Sequence, residues 1–109
     1  MPGSNDPKAT RLDLSLDALG HPYRRRILTR ILDHNPLDVT DFASGSDADS
    51  DHRLLVELHH RHLPMLAEAG FVDWDREADV LRRGPRFDDV APLIELLVAH
   101  SEELPAGWS

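Results

Sequence analysis

The apolar positions of this chain fall into runs of helical spacing separated by short polar breaks. The opening MPGSNDPKAT has no period, and residues 1–11 are expected to form a disordered arm. Leucines at 12, 14, 16 and 19, followed by Gly20, predict a short helix closed by a glycine stop. Pro22 suits the first position of a second helix over residues 22–34. There Tyr23, Ile27, Leu28, Ile31 and Leu32 repeat at helical spacing, with Arg24, Arg25 and Arg30 largely on other faces. Asn35 and Pro36 break that pattern. Leu37, Val39, Phe42 and Ala43 then support a third, short helix starting near Asp38, and residues 44–51 read as a polar loop.

A long helical segment is predicted from Asp51 to Ala69. Leu54, Leu55, Leu58, Met65, Leu66 and Ala69 share one face and Gly70 supplies the stop. Pro64 lies inside it. Its ring forfeits a backbone hydrogen bond and collides with the carbonyl of His60, so a kink or restart is expected around residues 60–64. Phe71 to Trp74 and Ala78 to Arg82 alternate briefly, as the two strands of a hairpin do. Beyond Gly84 and Pro85, Asp88 and Asp89 can cap a last helix whose stripe is Val90, Leu93, Ile94, Leu97 and Val98. The fold class read from this order is mainly α with a small β-hairpin. One domain is expected over 12–104, followed by a tail at 105–109.

Composition changes the picture in one respect. The formal net charge is −8, and of the 12 basic residues only Lys8 is a lysine. Aspartate and arginine dominate the charged residues, a pattern suited to remaining dispersed in molar salt, although an ordinary acidic protein would share the net charge. The acid is concentrated in residues 35–51 and 88–109, whereas 19–34 is net basic. One face can therefore meet phosphate even though the molecule is an anion.

Helix, helix, short helix, long helix, hairpin, helix is the order of a winged helix-turn-helix domain. The stretch LGHPYRRRIL at 19–28 resembles the helix opening of ArsR-type winged-helix regulators. HHRHLPMLAEAGFVDWD at 59–75 is similar to their recognition helix running into the first wing strand. The His-x-His-Leu-Pro form at His60, His62, Leu63 and Pro64 most resembles small winged-helix proteins of halophilic archaea. The resemblance spans about residues 12–100. It implies a DNA-binding transcriptional regulator, commonly a homodimer, whose recognition helices would enter successive major grooves of double-stranded DNA roughly 34 Å apart, and the lack of a charged-then-apolar start or a membrane-length apolar run leads to a cytoplasmic expectation.

At about 100° per residue with Leu58 central, Arg53 and His60 point away from the apolar face, His59 and Arg61 flank it, and His62 lies within it. Arg53, His59, His60 and Arg61 are thus candidate DNA contacts, with a solvated polar face as the plain alternative. His62 reads as a packed histidine bonding a backbone carbonyl. In the hairpin region Arg76, Arg82, Arg83 and Arg86 are further candidates, interleaved with Asp73, Asp75, Glu77 and Asp79, which could instead pair with them. Arg24, Arg25 and Arg26 open a helix, where its dipole disfavours cations. Ion pairs to Asp13 and Asp17 are the expected compensation, with phosphate the other. Leu93, Ile94, Leu97 and Val98 are the expected dimer surface.

Other chemistry is set aside. No cysteine is present, which excludes disulfides, thiolate metal sites and a cysteine nucleophile. His52, His59, His60 and His62 diverge along a helix, so no metal site is assigned. Asp47, Asp49 and Asp51 imitate a calcium loop, but His52 and Leu58 stand where glycine and glutamate are required. No phosphate loop or nucleophile motif appears, so neither an enzyme nor a cofactor is expected, and no run approaches a membrane span. The competing class is a protein-interaction module that has given up DNA, and an effector-responsive sensor is the third.

Overall fold

The computed structural model describes residues 7–108 as a mainly helical chain carrying a small antiparallel sheet. The first helix, α1, runs Pro7–Ala18, so residues 7–11 of the expected arm are helical, while residues 1–6 lie outside the described part. Helix α2 (Pro22–Asp33) starts as its sequence demands: His21 is extended, its Nδ1 accepts from the Tyr23 amide at 3.1 Å, and Pro22 fills the position whose amide would be orphaned. Ile27, Leu28 and Ile31 form its buried face.

After a cis Asn35–Pro36 peptide the chain makes a two-residue strand, β1 (Leu37–Asp38), which no periodicity signalled. Helix α3 (Val39–Ala43) follows, with the Asp38 carboxylate accepting from the Asp41 amide at 3.0 Å. Helix α4 (Ala48–Glu57) begins three residues earlier than the apolar pattern implied. Asp47 is its cap, accepting from the Ser50 amide at 2.9 Å, and those hydrogen bonds hold its carboxyl below the usual range.

The expected disturbance at Pro64 takes the form of a π-turn, Leu58–His62, which leads directly into α5 (Leu63–Glu68). The Leu63 amide bonds the Leu58 carbonyl, one residue further back than in an α-helix, and the wider turn accommodates the proline ring. Packing follows from it. In a straight α-helix Leu63 would lie about 140° round from Leu58. Here Leu58, His62, Leu63 and Leu66 are all fully buried, and Met65, expected on the core face, is half-buried.

Strands β2 (Val72–Asp75) and β3 (Val80–Arg83) form the expected hairpin, and β3 also pairs with β1 in the order β1-β3-β2, with Leu37 opposite Leu81. The last helix, α6, is Phe87–Ala99. Asp88 and Asp89 lie in its first turn, where carboxylates suit the dipole, but Arg86 occupies the cap position and no side chain caps it. Phe71, Val72, Leu81, Phe87, Val90 and Ile94 complete the core around α2 and the long helix.

The chain crosses itself where β3 passes into α6. The Gly84 amide bonds the Phe71 carbonyl at 3.0 Å, and a Cβ on Gly84 would stand 2.4 Å from the Gly70 oxygen and 2.8 Å from the Val72 nitrogen. Both obstacles are backbone. Gly84→Ala is therefore expected to destabilise the fold by about 1–3 kcal/mol or more, read as a lowered urea midpoint.

Candidate functional site

The hairpin is fastened to the long helix by one carboxylate. Asp79, left-handed at φ 55°, accepts from His59 Nε2 at 2.8 Å through one oxygen and from Trp74 Nε1 at 3.0 Å through the other. The His59 and Trp74 rings stack at 5.6 Å with 22° between their planes, and Arg76 lies 4.4 Å over the indole. His59, a candidate DNA contact in the sequence, is thus committed to positioning the hairpin.

The other candidates separate. Arg53 and His60 are exposed on the outward side of the helix and form no hydrogen bond or ion pair among the described residues. Arg61 is also exposed but lines a cleft with Leu14, Pro64 and Met65, on the side facing α1. Arg82 is exposed in β3 opposite Asp73, without bonding it. Arg83 serves the fold: its guanidinium bonds the Ile31 and Leu32 carbonyls at 3.3 and 2.5 Å and lies 5.3 Å over Phe87, so it closes the C-terminal end of α2. Arg86 is exposed, with its aliphatic stem beside Gly70.

The ion pairs expected for the arginines of α2 are replaced by backbone contacts. Arg24 donates to the carbonyls of Asp17 at 2.7 Å and Ala18 at 3.0 Å; Arg25 donates to the Leu19 carbonyl at 2.6 Å and to that of Trp108. These cations sit on the carbonyl end of α1, where the dipole is negative, so the main chain supplies what the carboxylates were expected to supply. Arg26 is left exposed and Arg30 lies 5.8 Å over Phe42. Their spacing of four on α2 was the signal by which they could have been singled out from sequence.

Of the expected dimer surface, Leu93 and Leu97 are half-buried, Val98 is exposed, and Ile94 is fully buried in the core, so Ile94 holds α6 from inside and is not available to a partner. Beyond those four residues, exposed apolar surface includes Leu12 and Leu16 on α1, 49% and 52% exposed, and Leu96 on α6, 57% exposed. Leu16, Leu93, Leu96, Leu97, Leu104 and Trp108 line an apolar groove of about 440 Å³ beside Arg25.

His62 is fully buried, as its position on the apolar face required, but its partner is a guanidinium: Arg24 Nη1 stands 3.2 Å from its Nδ1. Because arginine can only donate, Nδ1 accepts and the neutral ring carries its proton on Nε2. Nε2 has no hydrogen-bond partner, and the nearest carboxylate oxygen, of Glu57, is 3.9 Å away. The His21 ring lies at 4.2 Å and that of Tyr23 edge-on at 5.7 Å. Burial, then His21, Arg24 and Arg61, lower the pKa of His62 to about 4. The pKa of His21 is lowered by burial, then by Arg24, Arg61 and Arg25.

A small, mainly helical chain with a three-stranded antiparallel sheet is thus the class of protein in hand. The chain belongs to DUF7344, a domain family of unknown function, whose profile matches residues 16–82. The match begins within α1 and ends within β3, leaving α6 outside it. No curated protein and no solved structure matches the chain. Among the described residues no group of three potential metal-ligating side chains converges, and no helix is long and apolar enough to cross a membrane.

His62 sets a pH dependence whose sign is fixed. The unfolded chain takes up this proton near pH 6.5, the folded chain only near pH 4. Stability is therefore complete above pH 6.5 and falls as pH drops toward 4, by up to about 3 kcal/mol. His62→Gln, whose amide oxygen can still accept from Arg24, is expected to flatten the part of a urea-midpoint profile between pH 6.5 and 5.

Proposed function

We propose that this chain is a winged helix-turn-helix transcriptional regulator that binds double-stranded DNA as a homodimer in a salt-rich cytoplasm. The observation that carries this reading is the hydrogen-bonded contact between an exposed helix and the hairpin beside it. The chain runs from short α3 through a tight loop into residues 48–68, and the hairpin that follows is clamped to that helix by Asp79, His59 and Trp74. Arg53 and His60 on the helix and Arg76 and Arg82 on the hairpin are then the side chains offered to bases and phosphates. His59 and Arg83 act from behind, and neither catalysis nor a cofactor forms part of the reading.

DNA binding is tested by fluorescence anisotropy on the DNA upstream of the coding sequence and on scrambled DNA, across roughly 0.2 to 2 M KCl. Specific binding is expected, and Arg53→Ala with His60→Ala is expected to weaken it by about 1–3 kcal/mol per lost contact. If a folded protein shows no preference for the upstream DNA, the regulator reading fails. The interaction-module reading then leads, because Asp47, Asp49 and Asp51 make the start of the exposed helix acidic.

The proposed dimer joins α1 and α6 of two copies, since Leu12, Leu16, Leu96 and Val98 are exposed there. Light scattering after size exclusion is expected to give twice the chain mass of 12.3 kDa, and Leu96→Asp to give the monomer. A wild-type chain that is monomeric at tens of micromolar would remove this part of the reading.

A further inference from the structure

Three arginines line a groove that adjoins the proposed helix–hairpin surface and shares Arg53 with it. Tyr23, Arg26, Thr29 and Arg30 of α2, with Phe42 of α3 and Leu54 of α4, enclose about 380 Å³. Tyr23 and Leu54 also line an adjoining space of about 300 Å³ with Ser50, Arg53 and Glu57, so the two spaces share a wall between α2 and α4. Their lining holds three guanidinium groups against one carboxylate, in a chain whose formal net charge is −8. No carboxylate neutralises Arg26, Arg30 or Arg53 within ion-pair distance among the described residues. The Tyr23 hydroxyl makes no hydrogen bond there, whereas the Thr29 hydroxyl is spent on the Arg25 carbonyl at 2.7 Å. Phe42 lies under Arg30 and keeps that head group beside the cavity.

Such a lining offers donors and positive charge with almost no acceptor, so its complement is an anion. Guanidinium forks match tetrahedral oxyanions in pairs, and Arg26 and Arg30, one helical turn apart, are spaced to share one. We infer that the α2–α4 groove binds phosphate, either a backbone phosphate of DNA or the phosphate of a small free ligand. The proposal extends the DNA footprint to α2 if the first source holds and stands without DNA if the second does.

The test follows the arginine Nε–H signals of the ¹⁵N-labelled full chain by NMR, with inorganic pyrophosphate in one arm and the upstream duplex in the other. The lowest salt at which circular dichroism shows the native fold is used. Saturable shifts of Arg26, Arg30 and Arg53 are expected. Arg26→Ala with Arg30→Ala is expected to weaken binding about tenfold or more and, in the duplex arm, to reduce the salt slope by about one, for the one phosphate the pair would share. Arg11→Ala, at an exposed α1 position that lines neither space, serves as the unaffected control. If the double alanine variant fails to fold, Arg26→Lys with Arg30→Lys keeps the charge and removes the forks, with a severalfold loss expected.

Shifts with the duplex alone assign the groove to backbone phosphate. Shifts with pyrophosphate alone assign it to a free ligand and sink the DNA reading while the groove survives. Unchanged binding in the folded double variant overturns the groove, and if His60→Ala with Arg82→Ala, which line neither space, still loses DNA, the regulator reading survives that failure. Absence of binding to either probe, or equal binding of a glutamate peptide, also overturns it.

Discussion

The winding of residues 58–62 decides what the long helix hides and what it shows. Pro64 offers no amide and its ring needs room behind it, so the preceding turn opens to a π-turn. That extra residue brings Leu63 round to join Leu58 and Leu66 in the core while keeping His62 inside. It leaves His60 outward and aims His59 at the hairpin, where Asp79 receives it. The helix, the hairpin and the buried histidine are thus set by one local requirement.

The second constraint is how the arginines are held. Among the described residues no arginine forms an ion pair with a carboxylate. Arg24, Arg25 and Arg83 bond backbone carbonyls at or near the ends of α1 and α2, and Arg30, Arg76 and Arg83 lie over aromatic rings. Partly buried hydrogen bonds and ring contacts are screened less by salt than exposed ion pairs. A chain rich in aspartate and arginine can in this way keep its helix ends closed when surface charges are screened, leaving its acid to face solvent. The same arrangement sorts structural arginines from those free to meet a ligand.

The proposed function depends on how the hairpin is positioned against the helix. The Asp79 carboxylate takes one donor from the helix and one from within the hairpin, and a held offset between the two elements is what the proposed reading of one groove beside the neighbouring backbone would require. The buried His62 lies behind that surface with the α2 cluster around it, so acid that charges this ring acts on the support of the helix.

By itself the sequence determined the order of the helices and the hairpin, the place of the proline disturbance and the burial of His62, because spacing, proline and glycine act over a few neighbours. It also made the α3 start at Asp38 legible, since a cap is a local hydrogen bond. Only the tertiary structure decided the rest. The strand Leu37–Asp38 exists because β3 lies beside it, too short to carry a period of its own. Helical spacing placed Ile94 on a stripe, and only packing could say that it faces this core and not a partner. Of the candidate contacts, His59 was withdrawn by Asp79, twenty residues away, and Arg83 by α2 carbonyls about fifty residues away. A side chain's freedom depends on which distant backbone or carboxylate the fold brings to it, and no local pattern records that distance.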